Sequence, residues 1–160
     1  GSISEKDVME ALKKRILFVC TGNTCRSPMA EAIARLLVAD LRVHDGVEVV
    51  FESAGVATGE GMPASDEAVR VIEQMGGDLR GHRSRRLTAA MAERADRIYA
   101  MTRSHLDRVL ELSPDSAGKA ELLDPNGDVP DPIGGPEAVY RETADRLREA
   151  IAARLQELRV

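Results

Sequence analysis

The sequence predicts an α/β fold in three layers: a central four-stranded parallel sheet with helices on both faces and a phosphate-binding loop after strand 1. Short apolar segments alternate with segments of helical periodicity along the 160 residues, and this alternation is typical of a parallel sheet covered on both faces. The first of the apolar segments also leads into a loop that carries a cysteine and an arginine. Ligands of such sheets bind beyond the carboxyl ends of the strands, where this loop would lie.

Each element follows from a local pattern of apolar residues and from the residues that interrupt it. The predicted strands are Lys14–Cys20, Val47–Phe51, Arg97–Met101 and Ala120–Leu123. The predicted helices are Pro28–Val38, Pro63–Met75, Ala89–Arg94, Leu106–Leu112 and a long terminal helix with Tyr140, Ala144, Leu147, Ile151 and Leu155 on one face. The segment Ser53-Ala-Gly55 is predicted as a turn, and Asp124–Pro136, which is dense in Asp, Pro and Gly, as a loop.

Length and composition indicate one domain, predicted over residues 14–160 and preceded at residues 1–13 by an expression scar (Gly1-Ser2) and an N-terminal extension. The net charge of −5 argues against a nucleic-acid surface, and no apolar run approaches the roughly 20 residues of a membrane span. Two cysteines within one motif do not form a secreted disulfide framework. We therefore expect a cytoplasmic monomer that binds neither membranes nor nucleic acid.

The segment Cys20-Thr-Gly-Asn-Thr-Cys-Arg-Ser-Pro28 is the most informative motif of the chain. Ser27 is a good N-cap and Pro28 a good first helical residue, so a helix is predicted to begin here with its free N–H groups facing the loop. Gly22 would permit an unusual turn, so that the amides of the loop surround phosphate oxygens. The same field predicts a lowered pKa for the Cys20 thiol, and Arg26 offers a planar fork to two phosphate oxygens.

These residues suit nucleophilic attack on phosphorus. A Cys20 thiolate would form a phosphocysteine, which divides hydrolysis into two easier steps. The mechanism also needs a group that protonates the leaving group and later activates water. Asp128 and Asp131 are the candidates, and Asp131 is favoured because the following proline restricts its backbone.

Cys25 has two interpretations: a core residue, or a redox partner that forms a disulfide with Cys20 after oxidation. The three histidines, His44, His82 and His105, are scattered along the chain, and no Cys/His cluster has the spacing of a zinc site. His44 and His105 are predicted to be surface residues. The sequence therefore predicts neither a metal nor a cofactor.

The chain resembles the low-molecular-weight protein phosphatases from about Arg15 to its C-terminus. The resemblance is carried by Cys20-Thr-Gly-Asn-Thr-Cys-Arg-Ser-Pro-Met-Ala-Glu31, Ser53-Ala-Gly55, His82-Arg-Ser-Arg85 and Asp131-Pro132. It implies that Cys20 is the nucleophile, Arg26 the phosphate clamp and Asp131 the general acid. The remaining residues of the loop are predicted to bind the phosphate: Thr21, Gly22, Asn23, Thr24, Cys25 and Ser27.

The resemblance also implies a set of supporting residues, in which Ser27, Ser53 and His82 hold Asn23 and thereby keep the loop in its strained shape. The alternative interpretation of Ser53 and His82 is that they only stabilise turns of the chain through ordinary local hydrogen bonds.

Two positions distinguish this chain from tyrosine-specific members, which typically have a branched apolar residue in place of Thr24 and an aromatic pair after Asp-Pro. Here Asp131-Pro132 precedes Ile133-Gly134-Gly135, so the rings that would enclose a phosphotyrosine are missing. Thr24, Gly134 and Gly135, together with Ala100-Met101-Thr102, resemble the bacterial protein-arginine phosphatase branch. Ile133 departs from that branch, which commonly has phenylalanine there.

The favoured function is hydrolysis of phosphoarginine in proteins, with phosphotyrosine as the alternative. The carboxylates of Asp128 and Asp131 suit a guanidinium, and a Thr24 hydroxyl suits a guanidinium or the attacking water. An arsenate reductase on this fold needs further cysteines downstream, and none follows Cys25. A phosphate carrier lacks the arginine clamp and the Asp-Pro acid that this chain has.

Overall fold

The computed structural model describes residues 13–41 and 48–158. Its strands are β1 (Lys13–Cys20), β2 (Glu48–Gly55), β3 (Arg97–Ala100) and β4 (Ala120–Leu122). Its helices are α1 (Arg26–Leu41), α2 (Asp66–Gln74), α3 (Ala89–Arg94), α4 (Arg103–Leu112) and α5 (Glu137–Glu157), with a 3₁₀ helix at Pro114–Gly118.

The four strands form one parallel sheet in the order β2-β1-β3-β4, so the predicted architecture is confirmed. β1 lies in the interior of this sheet and is buried on both faces. Its side chains alternate between two core clusters: Ile16, Phe18 and Cys20 face one, and Leu17 and Val19 face the other. This alternation follows from the period of two along a strand.

The two clusters are closed by different helices, which gives the three layers. Residues of α1, α2 and α5 pack on the face that carries Cys20, whereas residues of α3 and α4 pack on the opposite face. Because α1 and α5 cover the Cys20 side, they form the wall behind the loop that follows β1.

Several element boundaries differ from the predicted ones. β2 continues through Ser53-Ala-Gly55, which the sequence predicts as a turn, because it pairs with β1 as far as Cys20 opposite Gly55. Helix α2 begins after its N-cap Ser65, whose side chain accepts from the Ala68 amide. β3 and β4 each end one residue before their predicted ends.

Other boundaries concern the chain ends and the helices around the site. α4 begins at Arg103, capped by Thr102, and so starts three residues before the predicted Leu106. Lys13 already belongs to β1, whereas the other residues assigned to the N-terminal extension, together with Val47, lie outside the described residues. In the part of the chain that the structure describes, no helix combines the length and the apolarity needed to cross a membrane.

Candidate active site

The loop 21–25 joins β1 to α1 at the carboxyl edge of the sheet. Cys20 is the last residue of β1 and Arg26 the first of α1, and both are buried. The helix thus begins two residues before the predicted Pro28. Ser27 does not serve as the predicted cap outside the helix; its hydroxyl contacts Cys20 Sγ and the Asn23 side chain instead.

A directed chain of hydrogen bonds leads to the Cys20 sulfur. The Arg85 amide donates to Asn23 Oδ1 over 2.8 Å, so the other end of the Asn23 amide donates to Ser27 Oγ, also over 2.8 Å. The Ser27 hydroxyl lies 2.8 Å from Cys20 Sγ. Because Ser27 Oγ accepts from Asn23, its own proton is free to point at the sulfur, where it stabilises a negative charge.

Asn23 is the strained residue of the loop. Its φ of 54° lies in the left-handed region, which asparagine tolerates better than most residues. Gly22 is not among the described residues with positive φ, so the unusual turn predicted there lies one residue later. The Asn23 carbonyl accepts from His82 Nε2 over 2.7 Å, and burial lowers the pKa of His82.

Ser53 does not take the part that the resemblance implies. It is buried in β2 opposite Phe18, but within the described residues the Asn23 partners are Ser27, Arg85 and His82. Gly55 is the residue of this segment that matters sterically. A Cβ there would lie 3.0 Å from the Asn23 amide nitrogen and closer still to the Thr21 carbonyl, so only glycine lets β2 approach the loop.

Burial raises the pKa of the Cys20 thiol, and this is the largest influence on it. The hydrogen bonds from Ser27 and the charge of Arg26 lower the pKa, but by less than burial raises it. The lowered pKa predicted from the sequence is therefore wrong. The loop has the expected donors, yet Cys20 is only 2% exposed, and desolvation opposes the charged form of its thiol.

The Arg26 guanidinium connects the loop to the segment that carries the acidic residues. Its Nη1 donates to the Val129 carbonyl over 2.9 Å, and its Nη2 lies 3.3 Å from Thr21 Oγ1 and 3.4 Å from Asp131 Oδ2. The segment is fixed by a hydrogen bond of 2.9 Å from the Val129 amide to the Met101 carbonyl, just beyond β3. Two neighbouring strands thus bring the cysteine, the arginine and one carboxylate together.

The two candidate carboxylates have different surroundings. Asp128 Oδ1 accepts from the Arg103 amide at the start of α4, over 2.9 Å. Asp131 faces Arg26 through Oδ2, while its Oδ1 accepts from the Ile133 amide over 3.1 Å. Asp128 is therefore engaged in holding a helix terminus, whereas Asp131 presents an oxygen to the loop.

The other loop residues have distinct environments. Thr24 is half-buried, and its carbonyl accepts from the Ser65 amide over 2.9 Å. Cys25 is a reduced, buried thiol whose sulfur lies 3.4 Å from Ser65 Oγ and 3.5 Å from the Tyr140 hydroxyl. Burial and the Cys25 contact raise the pKa of Tyr140 to about 12, so this hydroxyl stays neutral.

His105 is the main feature of the site that the sequence did not predict. It is 3% exposed rather than on the surface, and its Nε2 lies 2.7 Å from Thr21 Oγ1. The signal available in the sequence was the pattern Thr102-x-x-His105, which forms a capping box at the start of α4. His44 lies outside the described residues. Among the described residues there is no group of three or more His, Cys, Asp or Glu side chains able to hold a metal ion.

Comparisons with known proteins find relatives that match this chain over most of its length. The chain is 42% identical over 148 residues to a protein-arginine-phosphatase of Geobacillus stearothermophilus, covering 89% of this chain and 94% of the relative. A crystal structure of a low molecular weight protein tyrosine phosphatase from T. tengcongensis superposes with a TM-score of 0.83 at 40% identity, covering 90% of this chain and 99% of that one.

A second solved structure, described as YwlE arginine phosphatase in a cysteine-to-serine mutant with a phosphorylated active site serine, has a TM-score of 0.83 at 34% identity. The alignment covers 90% of this chain and 95% of that one. The family model described as low molecular weight phosphotyrosine protein phosphatase matches residues 15–160. The chain therefore belongs to the low molecular weight phosphotyrosine protein phosphatase family, a family of protein phosphatases.

Proposed function

We propose that this phosphatase hydrolyses phosphoarginine in proteins through a phosphocysteine intermediate. The observation that carries the proposal is the convergence of Cys20, Arg26 and Asp131 beside a loop in which Thr24 is polar. The names of the relatives support both phosphoarginine and phosphotyrosine as substrates, since arginine and tyrosine phosphatases occur among them.

The reaction would proceed in two displacements. In the first, the Cys20 thiolate attacks phosphorus, the P–N bond to the guanidinium breaks, and Asp131 donates a proton to the leaving nitrogen. In the second, water attacks the phosphocysteine, Asp131 accepts a proton from that water, and the S–P bond breaks to release inorganic phosphate and the cysteine. The Arg26 guanidinium, freed from its contact with Asp131, would bind the equatorial oxygens.

Charge and shape at the mouth of the site favour a guanidinium over a phenyl ring. Asp128 and Asp131 are both exposed, and Asp131 lies beside the loop at Arg26; carboxylates attract a cationic leaving group. The segment Ile133-Gly134-Gly135 that follows has no aromatic side chain. Its Ile133 is 66% exposed, and its Gly134 has a φ of 82°. Phosphotyrosine remains the second candidate because Ile133 provides an apolar surface there.

Thr24→Ile is expected to shift the preference from phosphoarginine towards phosphotyrosine. The substitution removes a hydroxyl that can bond to the guanidinium and adds apolar bulk that suits a ring. An unpaired polar group costs on the order of 1–3 kcal/mol, which corresponds to a change of roughly ten- to a hundredfold in the ratio of the two kcat/KM values. The measurement is phosphate release from matched phosphoarginine and phosphotyrosine peptides by the parent and the variant.

Thr143→Val is the control for the loss of a threonine hydroxyl, because that hydroxyl donates to the Val139 carbonyl within α5. A parallel fall of both activities in Thr24→Ile would mean that Thr24 supports only the loop geometry. A parent that prefers the phosphotyrosine peptide would contradict the proposed substrate while leaving the phosphatase chemistry intact.

We also propose that oxidation joins Cys20 and Cys25. Hydrogen peroxide would oxidise the Cys20 thiolate to a sulfenic acid, and the Cys25 thiol would then attack that sulfur, form the disulfide and release water. Because burial raises the pKa of Cys20, the thiolate fraction and hence the rate of inactivation should increase as the pH rises.

Peroxide inactivation of the parent is therefore expected to be reversed by dithiothreitol, whereas Cys25→Ser should lose activity irreversibly. Each protein is compared with its own activity before oxidation, and peptide mapping identifies the disulfide. Full recovery of oxidised Cys25→Ser would count against the role of Cys25.

The cytoplasmic location, the monomeric state and the domain boundary at residue 14 remain predictions. Light scattering of the purified chain tests the monomeric state.

A further inference from the structure

His105 is a buried histidine that the proposed mechanism does not use, although it contacts the phosphate loop. It lies in the first turn of α4, 84 residues from its partner Thr21 in the sequence, with Nε2 at 2.7 Å from Thr21 Oγ1. The other ring nitrogen, Nδ1, lies 3.2 Å from the Thr102 amide and 3.0 Å from Thr102 Oγ1. Both nitrogens of the ring are therefore engaged.

The contact with the Thr102 amide determines the tautomer, and the Thr102 hydroxyl, which accepts from the His105 amide, can direct its own proton at the same nitrogen. The Thr102 amide can only donate, so Nδ1 is the acceptor and the proton of the neutral ring is on Nε2. His105 Nε2–H thus donates to Thr21 Oγ1. A charged ring would direct a second proton from Nδ1 at the Thr102 amide, and the hydrogen bond there would be lost.

The environment keeps the ring neutral. Burial is the largest influence and lowers the pKa of His105 to about 4, assisted by the charge of Arg26 and opposed by Asp128 and Asp131. From pH 5 to pH 8 the ring therefore does not titrate. Its contact with Thr21 should be the same across this range.

The Thr21 hydroxyl is left with its proton as a hydrogen-bond donor. Its hydroxyl oxygen has two lone pairs, which receive His105 Nε2–H and the Arg26 Nη2–H at 3.3 Å. The remaining proton of the hydroxyl cannot point at either donor. Because Thr21 is exposed at the mouth of the loop, this proton is available to an acceptor bound beside the Arg26 guanidinium.

We infer that His105 is a positioning residue: by donating to Thr21 it makes the Thr21 hydroxyl a donor to a phosphoryl oxygen of the substrate, next to Arg26. The inference rests on the proposed function. It adds Thr21 to the groups that bind the phosphoryl group through a side chain, and it assigns to α4 a part in phosphate recognition.

The test is a double-mutant cycle on Thr21 and His105, read out as the inhibition constant of inorganic phosphate and as kcat and KM on a phosphoarginine peptide. Thr21→Val and His105→Leu should each raise the phosphate inhibition constant by roughly ten- to a hundredfold, the loss of about one hydrogen bond to a charged group. The double variant should show no further loss, because His105 acts through Thr21. Thr143→Val, which removes a hydroxyl that donates to the Val139 carbonyl within α5, should match the parent.

Two further measurements separate positioning from general support of the fold. His105→Gln retains an N–H donor at the place of Nε2, so its phosphate inhibition constant should stay within about threefold of the parent. The pH profile of kcat/KM between pH 5 and 8 should keep its shape in His105→Gln, because the ring does not titrate there.

Several results would overturn the inference. They are an unchanged phosphate inhibition constant in Thr21→Val, additive losses in the double variant, a loss in His105→Gln as large as in His105→Leu, or a missing limb of the pH profile. If His105→Leu does not fold, Thr21→Val and His105→Gln still decide the matter. If the parent hydrolyses the peptide and Thr21→Val behaves identically, this inference alone is refuted. If the parent has no phosphatase activity, the proposed function is refuted as well.

Discussion

Cys20→Ser is expected to abolish turnover while leaving the fold and phosphate binding in place. The hydroxyl of serine is not ionised at neutral pH, and the nucleophile of the first displacement is lost. A decrease in kcat of at least about 10³-fold is expected, as for the removal of other covalent nucleophiles. The change is nearly isosteric, and the Asn23 and Ser27 hydrogen bonds that shape the loop do not depend on the sulfur.

The measurement is phosphate release from a phosphoarginine peptide, together with thermal unfolding and calorimetric binding of inorganic phosphate. Cys25→Ser is the matched control, since it makes the same chemical change five residues along the chain at a thiol that faces Ser65 and Tyr140. Intact mass spectrometry of Cys20→Ser after incubation with substrate would detect a trapped phosphoryl group, as the phosphorylated serine in a related mutant leads one to expect. More than about a hundredth of the parent activity in Cys20→Ser would contradict the covalent mechanism.

Asp131→Asn is expected to lower kcat on a phosphoarginine peptide by roughly 10²–10⁴, the range for a general acid–base group. Asparagine keeps the size of the side chain and its bond to the Ile133 amide, but it cannot transfer a proton to the leaving nitrogen. Asp131 is preferred over Asp128 because its Oδ2 lies 3.4 Å from Arg26 Nη2, beside the phosphate loop.

Asp128→Asn is the control, and its effect on kcat should be much smaller. Asp128 accepts from the Arg103 amide at the start of α4, and an asparagine oxygen can still accept there, so the variant loses only the small stabilisation of a negative charge at a helix N-terminus. An aryl phosphate with a good leaving group needs little protonation, and Asp131→Asn should lose less activity on it. The assignment of the acid is wrong if Asp128→Asn is the more damaging change on the peptide.

Local sequence determined the part of the molecule that lies between β1 and α1. The apolar run 16–19, the Cys-x₅-Arg spacing and Ser27-Pro28 each concern residues close to one another in the chain, so their consequences could be predicted. The parallel sheet followed from the alternation of elements, which the structure reproduces in the order β2-β1-β3-β4. The exact start of α1 did not follow, because Ser27 is used by Asn23 and Cys20 instead of by the helix.

Tertiary structure alone decided which distant residues meet this loop. His105 is predicted from the sequence to lie on the surface, yet it is buried against Thr21, which follows a strand end that only the sheet brings near. The same holds for the Arg85 amide, 62 residues from Asn23, and for Gly55, whose missing Cβ matters only because β2 pairs beside Cys20. The pKa of Cys20 depends on local sequence and on tertiary structure. The hydrogen-bond donors could be predicted from the motif, but burial, which raises the pKa, is a property of the packed chain.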